Sequence, residues 1–334
     1  MTQEQKFRNK VNTLSFLLAV LVVFFHSNAY LHETHDNFAC RFQYFICNDL
    51  SQGAVPTFFA ISGFLFYRNF DFSQLKRKWS SRIRSLVIPY LFWNIVYTLY
   101  MFLVSRMPFV GTDAFPLDIP HLARGIFYHE YNGPFWYMFQ LILLTFLCPV
   151  LYTIMKRKAT AIPFLVILYT LFALDIKDLT ILQTRAVLYY SLGILFAIHF
   201  PNRILEREKV HPMGILAFIL SQILVYSPWA TQPVVYITIR LLLIVAYVNF
   251  AHLLGNIQLP NWMLCSFPIY AMHDIFVETL NKVFSFFVSP ASNWILLDFF
   301  ITTIVSIGIC IAINEFLKRY MPKFQSLIFG GRTR

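Results

Sequence analysis

The chain has 334 residues and a formal net charge of +11, and 58% of its residues are hydrophobic whereas only 13% are charged. Soluble globular domains have about 25% charged residues, so this composition excludes a pair of soluble domains and predicts an all-α, polytopic membrane protein. The excess of Lys and Arg is interpreted as the positive charge that membrane proteins carry on their cytoplasmic side, and nucleic acid is not expected as a partner.

The apolar residues fall into about ten segments that are long enough to approach the length of a membrane span. A bilayer core about 30 Å thick needs roughly 20 apolar residues per helix. The predicted spans are residues 12–30, 52–67, 86–105, 134–155, 160–176, 182–200, 213–229, 233–252, 261–281 and 294–316. If the N-terminus is cytoplasmic, 20 of the 27 Lys and Arg residues lie in cytoplasmic segments and 6 in outer ones, which predicts an N-in, C-in topology. No linker divides the chain, so residues 1–334 are predicted to form one membrane domain.

Two extracytoplasmic loops follow from this topology, at residues 31–50 and 106–133. The second is rich in aromatic, Pro, His and Asp residues, and long loops often carry function, although anchoring of Trp and Tyr at the membrane interface also explains it. Cys40 and Cys47 share the first loop. They either form a disulfide in an oxidising compartment or stay as two thiols.

Ionisable side chains within the spans are the first candidates for a site, because each is costly in hydrocarbon. His26, His273, Arg240, Glu278 and Asp298 are all displaced toward the predicted outer face, so they are expected at a similar depth. Structural alternatives exist for each. A histidine can simply hydrogen-bond to a neighbouring helix, Arg240 can neutralise Asp298 or Glu278, and the two carboxylates can be solvated at the interface.

A basic cluster precedes the third predicted span, within RNFDFSQLKRKWSSRIRSLVIPY. It can hold anionic lipid headgroups or a phosphate-bearing cosubstrate, and anchoring by the positive-inside rule explains it equally without a ligand. Its members are Arg68, Lys76, Arg77, Lys78, Arg82 and Arg84. The sequence has no Walker A loop, no GxGxxG turn and no CxxC pair, so nucleotide hydrolysis, dinucleotide chemistry and a metal site are not predicted.

Five segments in order resemble the integral-membrane acyltransferases of acyltransferase family 3. NTLSFLLAVLVVFFHS is similar to the first family helix, which ends in a histidine, and AVPTFFAISGFLFYRNF to the second. SRIRSLVIPYLFW, GPFWYMFQLILLTFLCPVL and FPIYAMHDIF resemble the third helix, a Trp-containing span and a late Tyr-x-x-His helix. The closest likeness is to O-acyltransferases of surface glycans.

This resemblance implies an enzyme that moves an acyl group, usually acetyl, from cytosolic acyl-CoA to a sugar hydroxyl of a surface or lipid-linked glycan. The family histidine corresponds to His26, and a neutral imidazole can accept the hydroxyl proton and return it to the leaving thiolate. His273 is assigned an assisting catalytic role. Acceptor binding is assigned to Arg240, to Trp136 in GPFWYM and to Glu130 in the preceding loop.

The donor side departs from the family pattern at one position. The family has an arginine eleven residues before its histidine, on the same helix face and roughly 16 Å away, whereas this chain has Ser15. Arg8 and Lys10, or the basic cluster through Lys78, Arg82 and Arg84, are the predicted substitutes for binding the CoA phosphates. A second departure is that Asp274 stands where the family often has proline.

A pair of small residues in the second span has two interpretations. The backbone at Ser62 and Gly63 either lets the acyl chain approach closely or lets neighbouring helices pack.

Two other classes of function are compatible with the sequence. A transporter or flippase would use the His, Arg and carboxylate groups as a substrate or proton path, and a non-catalytic relative would bind a lipid-linked glycan. The expected location is the inner membrane of a bacterium, and the sequence leaves monomer and homo-oligomer open.

Overall fold

The structure is a computed structural model that describes residues 2–28, 37–106, 118–179, 181–202, 209–289 and 292–331. The regular structure of these residues is helical apart from one two-stranded antiparallel hairpin, β1 (Asp178–Leu179) and β2 (Leu182–Gln183). The predicted all-α class is therefore confirmed. The α-helices are α1 (Gln3–His26), α2 (Phe38–Tyr44), α3 (Ala54–Tyr67), α4 (Leu75–Arg82), α5 (Ile88–Val104), α6 (Ile119–Tyr128), α7 (Trp136–Phe146), α8 (Cys148–Met155), α9 (Lys158–Ala173), α10 (Thr184–His199), α11 (Pro212–Val225), α12 (Pro233–Phe250), α13 (Ser266–Phe284), α14 (Ile295–Tyr320) and α15 (Pro322–Ile328).

Five helical runs in the described part of the chain are long and apolar enough to cross a membrane. They are Gln3–His26, Phe38–Tyr67, Phe72–Val104, Pro233–Leu254 and Ile295–Tyr320, and the bent pair α7–α8 makes a sixth if it counts as one span. Helices α9 and α11 are apolar but shorter. The protein is thus a multi-pass membrane protein, and the count of about ten spans stays a prediction.

The predicted span 134–155 is not straight, because α7 and α8 meet at an angle of 70°. Pro149 stands in the first turn of α8, where its ring nitrogen cannot donate a hydrogen bond to the preceding turn. The carbonyl of Thr145 instead accepts a hydrogen bond from Trp79 Nε1 at 3.0 Å. A local backbone constraint therefore breaks a segment whose composition is uniformly apolar.

The predicted outer loops contain helix in their described parts. Residues 29–36 and 107–117 lie outside the described residues, whereas α2 and a π-helical turn (Phe45–Leu50) occupy the rest of the first loop. In the second, Asp118 caps α6 by accepting a hydrogen bond from the His121 backbone at 2.8 Å. Helix α6 packs along α5, where Asn94 donates to the Ile126 carbonyl. The described parts of both predicted loops therefore contain regular helical structure.

Cys40 and Cys47 are not joined by a disulfide in the structure. Cys47 is buried in the π-helical turn, and its thiol lies 3.5 Å from the Phe24 carbonyl of α1. The alternative with two thiols is the one observed.

The closest packing between two helices joins α3 to α10, and glycine makes it possible. A Cβ atom at Gly63 would lie 2.3 Å from the Tyr190 carbonyl oxygen, and one at Gly193 would lie 2.0 Å from the Ala60 carbonyl oxygen. Neither backbone can move aside without disturbing its helix. The space at Gly63 is thus filled by α10, so the interpretation that it admits an acyl chain is wrong and the packing interpretation is confirmed.

We expect Gly193→Ala to destabilise the protein by about 3 kcal/mol, the upper end for overpacking, because the new methyl group meets backbone atoms. Thermal unfolding in detergent would measure this as a lower Tm. The matched control is Gly308→Ala in α14, where a Cβ would meet nothing within 4 Å and a helix gains from alanine. An unchanged Tm for Gly193→Ala would contradict the packing described here.

Candidate active site

His26 is the last residue of α1, and the end of this helix is well defined. The backbone N–H and the hydroxyl of Ser27 both donate to the Val23 carbonyl, at 2.8 and 2.9 Å. The imidazole therefore projects from a helix end, with 28% of its side chain exposed. It is therefore less buried than His273, whose exposed fraction is zero.

Helix α13 runs parallel to α1 and brings the second histidine to the first. Phe16 of α1 packs on Trp262, which precedes α13, with ring centroids 6.4 Å apart. Further along both helices His26 meets His273, with ring centroids 5.1 Å apart. The two contacts advance in the same direction along both chains, so the register of the helices juxtaposes the histidines.

Asp274 lies beside His26, and the sequence analysis assigned it no role. Its Oδ1 atom is 3.3 Å from His26 Nδ1. A carboxylate at Nδ1 favours the tautomer with the proton on Nδ1, which leaves the Nε2 lone pair as the base. His26 and Asp274 thus form a histidine–carboxylate pair.

His273 is completely buried, and its two ring nitrogens have different surroundings. Nδ1 lies 2.9 Å from the Tyr270 carbonyl and 3.1 Å from the Ile269 carbonyl, so it carries the proton. Nε2 is buried and has no hydrogen-bond partner among the described residues. This lone pair faces the protein interior near His26, which suits a positioning role better than direct contact with a bulky substrate.

These three residues also form the one metal-binding arrangement found in the described part of the chain. The ligand atoms of His26, His273 and Asp274 lie within 4.8 Å of one another. Two histidines and a carboxylate are a donor set that zinc accepts. The sequence analysis predicted no metal because the chain has no CxxC pair, and His26 is far from His273 and Asp274 in the sequence.

Arg240 does not join this cluster. It is 6% exposed on α12, where it donates to the Tyr236 carbonyl at 3.0 Å and to the side-chain oxygen of Gln52. Asp298 instead accepts a hydrogen bond from Thr302 at 3.0 Å. The alternative in which Arg240 neutralises Asp298 or Glu278 is therefore wrong for the described residues, as is a single pocket for all five groups. Spacing along a helix does not reveal which neighbour a long side chain reaches.

The two other predicted acceptor residues have different surroundings. Trp136 begins α7, and the guanidinium of Arg185 lies over its ring at 4.6 Å from the centroid. Glu130 follows α6 and forms an ion pair with Arg124, with Nε and Oε2 2.9 Å apart. The structure thus brings Trp136 toward Arg185 and gives Glu130 a separate, half-exposed partner.

The predicted donor-binding residues are divided over three places. Lys78 and Arg82 both lie over the Phe66 ring at the end of α3, at 4.9 and 5.4 Å from its centroid, whereas Arg84 is exposed. Arg8 pairs with Glu4, which also binds Arg68 at 2.6 Å. Lys10 is buried beside Gly255.

Comparison with known proteins decides the family. A family model described as an acyltransferase domain, that of acyltransferase family 3, matches residues 9–315. The protein belongs to acyltransferase family 3. It is accordingly a membrane acyltransferase, and the match includes His26, His273 and Asp274. No curated protein and no solved structure matched the chain.

The sequence analysis did not identify two polar residues that the structure brings into contact with predicted site residues, Asp274 and Arg185. Asp274 was noted only as a departure from a proline, although an acidic residue beside a buried histidine was the available signal. Arg185 was counted only as one of the six Lys and Arg residues in outer segments. In the structure it stands in the first turn of α10. Its contact with Trp136 depends on the packing of α7 against α10, which no local pattern shows.

We expect the purified acyltransferase to contain well below one equivalent of any transition metal, because a base at His26 with Asp274 beside its Nδ1 atom requires an imidazole that no metal ion binds. Elemental analysis before and after incubation with EDTA would test this, with activity measured in parallel. Stoichiometric zinc that is lost in His273→Ala would contradict it and would make His26 a ligand instead of a base.

Proposed function

We propose that the protein is an O-acyltransferase that moves an acyl group, usually acetyl, from cytosolic acyl-CoA to a sugar hydroxyl of a surface or lipid-linked glycan. The observation that carries this proposal is the part-exposed imidazole of His26 beside the Asp274 carboxylate within an acyltransferase 3 domain. An oriented imidazole is the group that hydroxyl activation requires.

The chemistry follows from the two nitrogens of His26. Nε2 takes the proton of the acceptor hydroxyl as its oxygen attacks the thioester carbonyl carbon. The carbon–sulfur bond then breaks, and the leaving thiolate takes the same proton from the imidazolium, so the products are the sugar ester and free CoA. Asp274 stabilises the imidazolium while it exists. His273 packs against the ring and limits its rotation, which preserves the attack geometry.

The binding site for the acyl-CoA donor is assigned to the end of the molecule where α1 begins. Ser15 leaves that helix without the family arginine, and Lys78, Arg82, Arg84, Arg8 and Lys10 supply positive charge there for the CoA phosphates. A cleft of ≈ 300 Å³ beside α1 is lined by Gln5, Asn9, Asn12, Gln258, Leu259 and Leu264. Amide side chains of this kind can hydrogen-bond the edge of an adenine ring.

The proposed setting is a bacterial inner membrane, with about ten spans and both termini in the cytoplasm. The distribution of Lys and Arg supports this orientation. It puts the basic residues on the side where acyl-CoA is made. It also directs the start of α7, α10 and α12, which carry Trp136, Arg185 and Arg240, toward the outer face, where a surface glycan would be met.

We expect His26→Ala to lower acyl transfer by about 10²–10⁴-fold, the range for loss of a general base. The measurement is release of free thiol from acetyl-CoA by the protein in liposomes, with and without a glycan acceptor. His121→Ala is the control, since His121 pairs with Asp118 on the exposed start of α6.

Full thiol release by His26→Ala would contradict the proposed base. A wild-type protein that consumes no acyl-CoA but moves a saccharide across the membrane would be a transporter. One that binds glycan without either activity would be a non-catalytic relative.

We expect Asp274→Asn to lower kcat by about 10²-fold or more with little change in KM, because the amide no longer favours the productive tautomer or the imidazolium. Asp274→Glu should recover part of the rate. The matched control is Asp298→Asn, which alters another buried carboxylate, one bound to Thr302. Equal losses in the two variants would indicate a structural effect and contradict an orienting role.

A further inference from the structure

Two arginine side chains converge on one tyrosine away from the histidine cluster. Arg185 donates from Nη1 to the Tyr236 hydroxyl at 3.3 Å. The guanidinium carbon of Arg240 lies 3.2 Å from the centroid of the same ring. Both arginine side chains therefore contact Tyr236, Arg185 at the hydroxyl group and Arg240 over the face of the ring.

Neither cation has a carboxylate partner among the described residues. Arg185 contacts the side-chain oxygen of Gln183 at 2.9 Å and the Trp136 ring, and Arg240 contacts Gln52 and the Tyr236 carbonyl. Asp49, three residues before Gln52 in the chain, instead accepts a hydrogen bond from the Tyr226 hydroxyl at 2.5 Å. Buried cations in membrane proteins are normally paired or functional, because an uncompensated charge is costly.

The buried hydroxyl group of Tyr189 is a second, independent observation that points to a ligand. Tyr189 is 1% exposed on α10, and its hydroxyl has no hydrogen-bond partner within the described part of the chain. It lies within electrostatic range of both Arg240 and Arg185. Buried hydroxyl groups are rarely left without a partner, so a hydrogen-bond acceptor is expected at this place.

Aromatic rings connect this arginine pair to the histidine cluster. Trp136 contacts Phe59, Phe59 contacts Tyr137 and Tyr137 contacts Tyr270, with ring centroids 5.8, 4.6 and 5.8 Å apart. Tyr270 in turn lies 6.4 Å from His273. Aromatic side chains with a few fixed polar groups are typical of ligand sites. These packed rings form a continuous series from Trp136 at the arginine pair to Tyr270 beside His273.

We propose that Arg185 and Arg240 bind an anionic oxygen group, a phosphate or a carboxylate, that is attached to the acceptor saccharide. The planar fork of a guanidinium matches both groups, and Tyr189 donates the additional hydrogen bond. The assignment of this anion to the acceptor rests on the proposed acyltransferase function. It specifies the acceptor as a lipid-linked saccharide phosphate or an acidic glycan instead of a neutral one.

Isothermal titration of the full-length protein in detergent tests this inference with four probes. Geranyl diphosphate stands for a lipid-linked phosphate, glucuronate for an acidic sugar, glucose for a neutral one and acetyl-CoA for the donor. We expect one of the two acceptor anions to bind at least about tenfold more tightly than glucose, and the affinity to fall as salt rises. The anion that binds identifies the source of the charge.

Variants locate the site and separate it from catalysis. Arg185→Gln should weaken the binding of that anion about tenfold, Arg185→Lys should recover part of it, and Arg240→Met should abolish it. Arg106→Gln is the matched control, since this exposed arginine contacts only the Phe102 ring among the described residues. A Tm measurement on each variant identifies any that fail to fold. If Arg240→Met unfolds, the Arg185 variants still test the site, because Arg185 is only half-buried.

The outcomes distinguish this inference from the proposed function. His26→Ala should bind the anion like the wild type, so loss of turnover with retained binding supports both. If the protein binds the anion but does not turn over acyl-CoA, the result supports the anion site and contradicts the proposed function. Equal affinity for glucose and the anions, or binding unaffected by both arginine variants, would overturn the inference, and Arg240-dependent binding of acetyl-CoA would reassign the anion to the donor.

Discussion

The cost of placing a polar side chain in a bilayer is the constraint on which this structure depends, since hydrocarbon offers no water to satisfy it. His26 ends a run of apolar residues, so it requires partners from another helix. Asp274 and His273 on α13 supply them, and the parallel register of α1 and α13, set further down at Phe16 and Trp262, delivers both to the same place. A histidine–carboxylate pair thus results from a requirement that any histidine at the end of an apolar run would impose.

The same requirement explains why the polar groups fall into two centres instead of one. The close approach of α3 and α10 leaves no room for side chains at Gly63 and Gly193. Arg185 lies in the first turn of α10, and it meets Arg240 of α12 at Tyr236. One centre has an imidazole beside a carboxylate, and the other has two cations without a carboxylate partner among the described residues. The proposed reaction would use the first centre to activate a hydroxyl group and the second to hold the substrate.

The sequence indicated candidate site residues where the signal was local. A histidine that ends an apolar run, and a second one within an apolar helix, are visible as costly residues regardless of their neighbours. Asp274 was missed because its significance lies in a contact with a residue far away in the chain. The expected partner of Arg240 was wrong for the same reason: a flexible side chain on a helix reaches different neighbours depending on the rotation of that helix, and rotation is set by packing.

The sequence by itself determined that the protein is a helical membrane protein, approximately where most of its helices lie, and to which family it belongs. These properties depend on composition, apolar run length and short motifs, which are local. Only the tertiary structure decided that α7 and α8 form a bent pair, that α6 packs along α5, and that His26 faces Asp274 while Arg240 faces Gln52. Those features depend on the rotation and depth of each helix relative to others, and the free energy that sets them comes from contacts between residues far apart in the chain.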